Sequence, residues 1–136
     1  MVTLSYKKEP AAVAAGYLVD ATYQDLPAEA VQSTKQHVLH TLAALIGGSV
    51  APGCKEVVQL AKDWRGKRES TILVYGGKVP AVNSALANAT MAHALDYCLN
   101  DDRTFYKSSV VVVPACLAVA EQKGQVSGKE LLTAIC

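Results

Sequence analysis

The chain has 136 residues, of which 13 are basic, 12 are acidic and 51% are apolar. This balance of charge gives no electrostatic basis for binding nucleic acid, and charged residues or histidines keep every apolar run below the roughly 20 residues of a membrane span. The first ten residues also lack the apolar core and cleavage site of a signal peptide. We therefore predict one cytoplasmic domain that binds neither nucleic acid nor membrane.

Three helices are predicted in the first half of the chain. Pro10 suits the first turn of a helix over residues 10–22, and Pro27 precedes a longer helix over residues 28–46, which a pair of glycines ends. After a proline- and glycine-containing turn, a third helix covers residues 54–64. The residues expected to face the core are Val31, Val38, Leu42, Leu45 and Ile46 in the second helix, and Val57, Val58, Leu60, Ala61 and Trp64 in the third.

A short hairpin is predicted at residues 70–79. This segment is rich in β-branched residues, and Gly76 and Gly77 provide a tight turn. An isolated hairpin is marginally stable, so we expect it to lie against the helices. Every other apolar segment has helical spacing. The predicted fold class is therefore mainly α, a bundle-like helical fragment with at most one short hairpin.

Two groups of residues, the histidines of the second helix and the cysteines, include common metal ligands, but their spacing argues against a metal site. His37 and His40 are three residues apart, but no third ligand lies nearby, so we interpret them as solvent-facing or interhelical histidines. The cysteines are scattered, without a C-x-x-C pair, which argues against a zinc ribbon and a disulfide framework. We expect reduced thiols in or near the core at Cys54, Cys98, Cys116 and Cys136.

Residues 86–124 hold most of the chemical information in the chain. Two alanine-rich apolar segments flank a polar centre, as is typical of a half-buried site. The polar centre contains His93, Asp96, Asp101, Asp102, Arg103, Lys107, Ser108 and Ser109.

The first apolar segment predicts a helix over residues 81–96 that brings His93 and Asp96 together. Residues three apart share a helix face, so the imidazole and the carboxylate can meet near the C-terminal end. The helix dipole disfavours an aspartate there unless a cation holds it. The alternative is that Asp96 makes hydrogen bonds at the helix end and that His93 is a satisfied core residue.

The second apolar segment predicts a helix that begins near Ser108 or Ser109. The four valines at residues 110–113 would by themselves indicate a strand, but Pro114 cannot donate to a sheet and helical spacing continues after it. Either serine hydroxyl can cap this helix. The free N–H groups of its first turn can also bind a carboxylate ligand.

Several motifs follow one another in this part of the chain. They are N-A-x-M-A-H-A-L-D-Y, then an acidic loop, a basic residue and Ser-Ser, then P-A-x-L-A-V-A-E and G-x-x-S-G-K-E-L-L-T-A-I. In this order they resemble the MmgE/PrpD family, and the similarity runs from about residue 11 to the last residue. Members include 2-methylcitrate dehydratase, cis-aconitate decarboxylase and iminodisuccinate epimerase.

The sequence departs from the family pattern near its most informative residues. The pattern is L-D-[FY]-D-D-T-H, a short spacer and then H-P-S, and Asp96 falls on its first aspartate, which the family associates with the active site. Cys98 and Leu99 stand where Asp-Asp is usual. Lys107 or Tyr106, depending on where a gap is placed, occupies the position of the family's active-site histidine.

The resemblance implies a lyase or isomerase that acts on a small polycarboxylate without a cofactor or a metal. In such a site Asp96 acts as the base or orients one, and Lys107 binds a carboxylate or acts as an acid. The other candidate substrate-binding residues are His93, Asp101, Asp102, Ser108 and Ser109.

The resemblance also implies that family members are several times longer, with a larger helical domain and an α/β domain that closes over the site. Residues 1–136 correspond to the N-terminal part of the helical domain, and their last helix begins with a capping box at Ser127 and Glu130. We therefore expect an incomplete or inactive enzyme. The alternative is a non-catalytic, truncated paralogue or subunit that acts as a helical association module. Uncovered apolar faces predict a homodimer or higher self-association.

Overall fold

The computed structural model describes residues 9–99 and 106–136, and in these ranges the chain forms six α-helices and one two-stranded sheet. The elements are α1 (Pro10–Asp20), a 3-10 turn (Tyr23–Asp25), α2 (Ala28–Gly48), α3 (Cys54–Asp63), β1 (Ser70–Thr71), β2 (Lys78–Val79), α4 (Ala81–His93), α5 (Ser109–Lys123) and α6 (Gly128–Ile135). The predicted mainly α fold with a short hairpin is confirmed. None of the helices in these two ranges combines the length and the hydropathy of a transmembrane span.

The core forms around α4, which packs against α2, α3 and α5. Small residues on α4 allow its neighbours to approach closely, and one such approach is at Gly48, the last residue of α2. A Cβ atom at Gly48 would lie 2.1 Å from the backbone oxygen of Met91. The buried core residues are Leu45, Cys54, Val58, Ala61, Ile72, Val79, Ala87, Met91, Ala92 and Val110.

The buried faces of α2 and α3 differ from the predicted apolar stripes. Ile46, Leu60 and Trp64 were predicted to face the core, but they are 62%, 47% and 56% exposed. Successive residues of a helix point in directions about 100° apart. Ile46 therefore points away from the core that its neighbour Leu45 enters, and Leu60 points away from the core that Ala61 enters. Trp64 lies beyond the last residue of α3. Val31, Leu45, Val58 and Ala61 are buried, as predicted. The other buried residues are Thr34, Thr41 and Gly48 in α2 and Cys54 in α3.

The hairpin pairs β1 and β2 antiparallel, with Ser70 opposite Val79. Its connection spans residues 72–77 and is longer than the predicted tight turn. Gly76 and Gly77 lie in this connection with φ angles of 68° and 86°, the left-handed region that glycine adopts without strain.

Glu121 of α5 fixes the hairpin to the helices. Its carboxylate accepts hydrogen bonds from the Thr71 N–H (2.6 Å), the Thr71 Oγ1 (2.7 Å) and the Ser70 Oγ (3.2 Å), and it pairs with Lys78 Nζ (2.8 Å). Burial opposes ionisation of Glu121, but these contacts outweigh it and lower the pKa of Glu121 to about 2. No sequence pattern indicated this ionic anchor.

Of the N-terminal caps predicted for α5 and α6, only the cap of α6 is present. The helix predicted near Ser108 or Ser109 begins at Ser109 and continues through Pro114, but neither serine hydroxyl caps it. At α6 the predicted capping box is confirmed. The N–H of Glu130 donates to Ser127 Oγ (3.2 Å), and the N–H of Ser127 donates to Glu130 Oε2 (2.8 Å).

All four cysteines are free thiols, as predicted. Cys54 is buried, and Cys98 and Cys116 are half-buried. Cys136 is exposed, so its predicted position in or near the core is wrong. It follows the last residue of α6, a helix in which no described residue is buried.

Candidate functional site

The candidate site lies where the C-terminal end of α4 meets the N-terminal end of α5. The sequence analysis placed Asp96 on the helix, but α4 ends at His93 and Asp96 lies in the turn that follows, with φ 57°. Aspartate enters this left-handed region more readily than most residues. The N–H of Asp96 donates to the His93 carbonyl oxygen (2.9 Å), so the chain turns back beside the helix end.

Lys107 Nζ donates to Asp96 Oδ1 and forms an ion pair with it. This hydrogen bond lowers the pKa of Asp96 and raises the pKa of Lys107 relative to their ordinary values, so both groups are charged at neutral pH. A carboxylate with a lowered pKa is a weaker base, and an ammonium with a raised pKa is a weaker acid. Of the two groups, the Lys107 ammonium can bind an anion, and neither group is suited to transferring a proton.

His93 and Cys98 lie beside this ion pair, and we call the four residues His93, Asp96, Cys98 and Lys107 the charged cluster. His93 Nδ1 lies 3.9 Å from Asp96 Oδ1 and 3.2 Å from Cys98 Sγ, and Cys98 Sγ lies 3.9 Å from the same Asp96 oxygen. The predicted meeting of imidazole and carboxylate is confirmed. Cys98 departs from the family pattern and was not predicted as a residue of the site.

A groove of about 630 Å³ opens beside this cluster. Its polar end is formed by His93, Lys107 and Ser108, and residues 110–112 form an apolar wall, with Tyr106 at the edge. This volume is in the range of small-molecule sites. The combination of a cationic end and an apolar wall fits a ligand with a carboxylate on a short carbon skeleton.

Ser109 faces a different cavity, although it was predicted to bind the same ligand. This cavity of about 280 Å³ lies between α2, α5 and α6 and is lined by Ser33, Thr34, His37 and Ser108 as well. The Oγ of Ser109 is buried and has no hydrogen-bond partner among the residues described. The structure thus separates Ser109 from the charged cluster, whereas Ser108 lines both cavities. Two predicted substrate-binding residues, Asp101 and Asp102, lie outside the described residues.

His40 of α2 holds the turn that carries the cluster. Its Nε2–H donates to the carbonyl oxygen of Tyr97, a residue 57 positions away in sequence. Because a carbonyl oxygen accepts and cannot donate, Nε2 carries the proton. The sequence analysis predicted an interhelical or solvent-facing histidine, but no local spacing pattern reveals a contact across this distance.

A carboxylate, an ammonium and an imidazole beside a groove between two helices define a helical protein with a candidate anion-binding site. The family model of the MmgE/PrpD N-terminal domain matches residues 13–136. The chain therefore belongs to the MmgE/PrpD family, in agreement with its sequence motifs. Searches among curated proteins and among solved structures gave no match.

Proposed function

We propose that this chain contributes the polar centre of a site for a small polycarboxylic acid, in a lyase or isomerase reaction related to that of 2-methylcitrate dehydratase. The observation that carries this proposal is the Asp96–Lys107 ion pair, which lies beside His93 at the mouth of a groove of ligand size. Membership of the MmgE/PrpD family supports the same substrate class.

The pKa shifts favour one of the two roles that the sequence left open for each residue. Lys107 binds a substrate carboxylate, because its ammonium is charged at neutral pH and the residue lines the groove. Asp96 orients Lys107, because its lowered pKa makes it a weak base. His93 is the remaining candidate for proton transfer, since histidine is the residue type that most often performs it. Ser108 adds a hydroxyl at the edge of the groove.

Solvent exposure limits what this cluster can do by itself. The side chain of Asp96 is 69% exposed, so its charge acts through water and has little effect on a transition state. The position of the family's active-site histidine is held by Lys107 or Tyr106, and loss of a general acid or base typically costs about a hundred- to ten-thousand-fold in rate. Efficient catalysis therefore requires a further surface that covers the groove.

Isothermal titration calorimetry with tricarballylate, an unreactive tricarboxylate, tests the binding role. Wild type is compared with Lys107→Gln and with Lys123→Gln, which removes a lysine from the opposite end of α5. We expect wild type and Lys123→Gln to bind equally and Lys107→Gln to bind several-fold more weakly. Equal affinities in all three proteins would refute the proposal.

A turnover assay tests whether the chain is a complete enzyme. We expect little or no conversion of 2-methylcitrate, cis-aconitate or iminodisuccinate. Conversion of any of these acids that Asp96→Asn abolishes would contradict the view that the site requires a covering surface.

A second candidate function, a non-catalytic association module, is favoured by the surface of α1. No residue of this helix is buried within the described part of the chain, and its apolar residues Val13, Tyr17, Leu18 and Val19 are 63%, 62%, 75% and 83% exposed. Large apolar side chains exposed together on one helix are typical of interfaces, and we take a second copy of the chain as the partner. Sedimentation should show a dimer that Leu18→Glu dissociates and Leu39→Glu, on α2, does not. A compact wild-type monomer at micromolar concentration would exclude this function.

A further inference from the structure

The cluster at the end of α4 contains three atoms that commonly bind metal ions. His93 Nδ1, Asp96 Oδ1 and Cys98 Sγ all lie within 4.8 Å of one another. The three residues are contributed by the last residue of α4 and the turn that follows, so one short segment provides the whole set. We propose that His93, Asp96 and Cys98 bind a divalent transition-metal ion of the zinc type, in competition with Lys107.

The distances between the three atoms support a tetrahedral site. Zinc binds sulfur at about 2.3 Å and nitrogen or oxygen at about 2.0–2.2 Å, so two ligand atoms of a tetrahedral site are about 3.3–3.6 Å apart. In this protein the three separations are 3.2 Å, 3.9 Å and 3.9 Å. Each is within about 0.5 Å of the tetrahedral value, a shift that side-chain rotation can supply.

The chemistry of the three donors selects the kind of metal. A thiolate and an imidazole favour zinc and similar transition metals, whereas magnesium and calcium prefer sites made entirely of oxygen. Three protein ligands also leave one position for water or for a ligand carboxylate, as in catalytic rather than structural zinc sites.

Lys107 competes for the same oxygen atom. Its Nζ contacts Asp96 Oδ1, the oxygen that faces both His93 and Cys98. A metal ion on this oxygen would place two positive charges next to each other, so metal binding must displace the ammonium. Removing the charge of Lys107 should therefore strengthen metal binding by up to about thirtyfold, the repulsion between a divalent ion and a unit charge about 4 Å apart in water. This site does not depend on the proposed function, because it requires no polycarboxylate.

Cobalt(II) provides a spectroscopic test, because a bond between Co²⁺ and a thiolate absorbs in the near ultraviolet and tetrahedral Co²⁺ is strongly coloured. The reduced chain of residues 1–136 is titrated with Co²⁺ and then with Zn²⁺. The reference protein carries Cys116→Ser and Cys136→Ser, which removes the two accessible thiols outside the cluster. We expect one Co²⁺ per chain, bound with a thiolate band and displaced by Zn²⁺.

Three substitutions in the reference protein separate metal ligation from a structural role. Cys98→Ser should abolish the thiolate band, His93→Asn should weaken Co²⁺ binding by about tenfold or more, and Lys107→Met should strengthen it. Circular dichroism shows whether each variant is folded. If Cys98→Ser unfolds, the proposal is tested with His93→Asn and Lys107→Met. A thiolate band that persists in Cys98→Ser would overturn the proposal. So would unchanged affinity in His93→Asn, or Lys107→Met binding no more tightly than the reference protein.

Discussion

Replacing Gly48 with alanine tests whether the close approach of α2 and α4 positions the candidate site. The new Cβ would lie 2.1 Å from the Met91 oxygen, where real Cβ atoms keep at least 3.0 Å, and a backbone atom cannot move alone. The end of α4 must therefore shift away from α2. We expect the free energy of unfolding to fall by about 1–3 kcal/mol, the usual cost of overpacking. Because Met91 precedes His93 by two residues, the same shift should disturb the charged cluster.

Gly47 provides a matched control one residue away. Its Cβ would lie 3.7 Å from a side-chain carbon of Leu95, an ordinary contact, and alanine has a helix propensity higher than glycine by up to about 1 kcal/mol. Gly47→Ala should therefore be as stable as wild type or more stable. Urea unfolding followed by circular dichroism measures both variants, and Gly48→Ala should have the lower midpoint with an unchanged slope. Equal midpoints for the two variants would refute the role of this contact.

Two further predictions concern the half-buried carboxylate of Glu121 and the buried hydroxyl of Thr41. Glu121→Gln should cost at most about 3 kcal/mol near neutral pH, because the pKa of Glu121 is lowered from 4.5 to about 2 on folding. This stabilisation is complete above about pH 5 and is lost as the pH falls towards 2. The urea midpoints of wild type and Glu121→Gln should therefore converge near pH 2. A difference in midpoint that does not change with pH would contradict this prediction. Thr41 is 1% exposed and its Oγ1 has no partner in the described ranges, so Thr41→Val should leave stability unchanged or raise it by up to about 2 kcal/mol. A clear loss of stability in Thr41→Val would show that the hydroxyl is satisfied.

The helices could be predicted from sequence because their signals are local. Proline and glycine punctuation and apolar spacing indicated α2, α3 and the hairpin, and the capping box indicated α6. The side of a helix that is buried depends on which elements pack against it. For this reason apolar spacing placed Ile46, Leu60 and Trp64 in the core, although each is exposed.

The part of the candidate site that lies within one short segment could be predicted from sequence. The spacing of His93 and Asp96 indicated their proximity, even though α4 ends before Asp96. The two anchors that hold the surrounding structure join distant parts of the chain. His40 binds a residue 57 positions away and Glu121 binds Thr71, 50 positions away, and local sequence patterns carry no information about such contacts.

Nuclear magnetic resonance gives the most direct test of whether the junction of α4 and α5 binds a polycarboxylate. Tricarballylate is titrated into the isotope-labelled chain while the backbone amide shifts are followed. We predict saturable shifts that are largest at His93, Lys107 and Ser108, that are lost in Lys107→Gln and that are retained in Lys123→Gln. Shifts concentrated at His37 and Ser109, in the cavity between α2, α5 and α6, or the absence of saturable shifts, would contradict the assignment of the site.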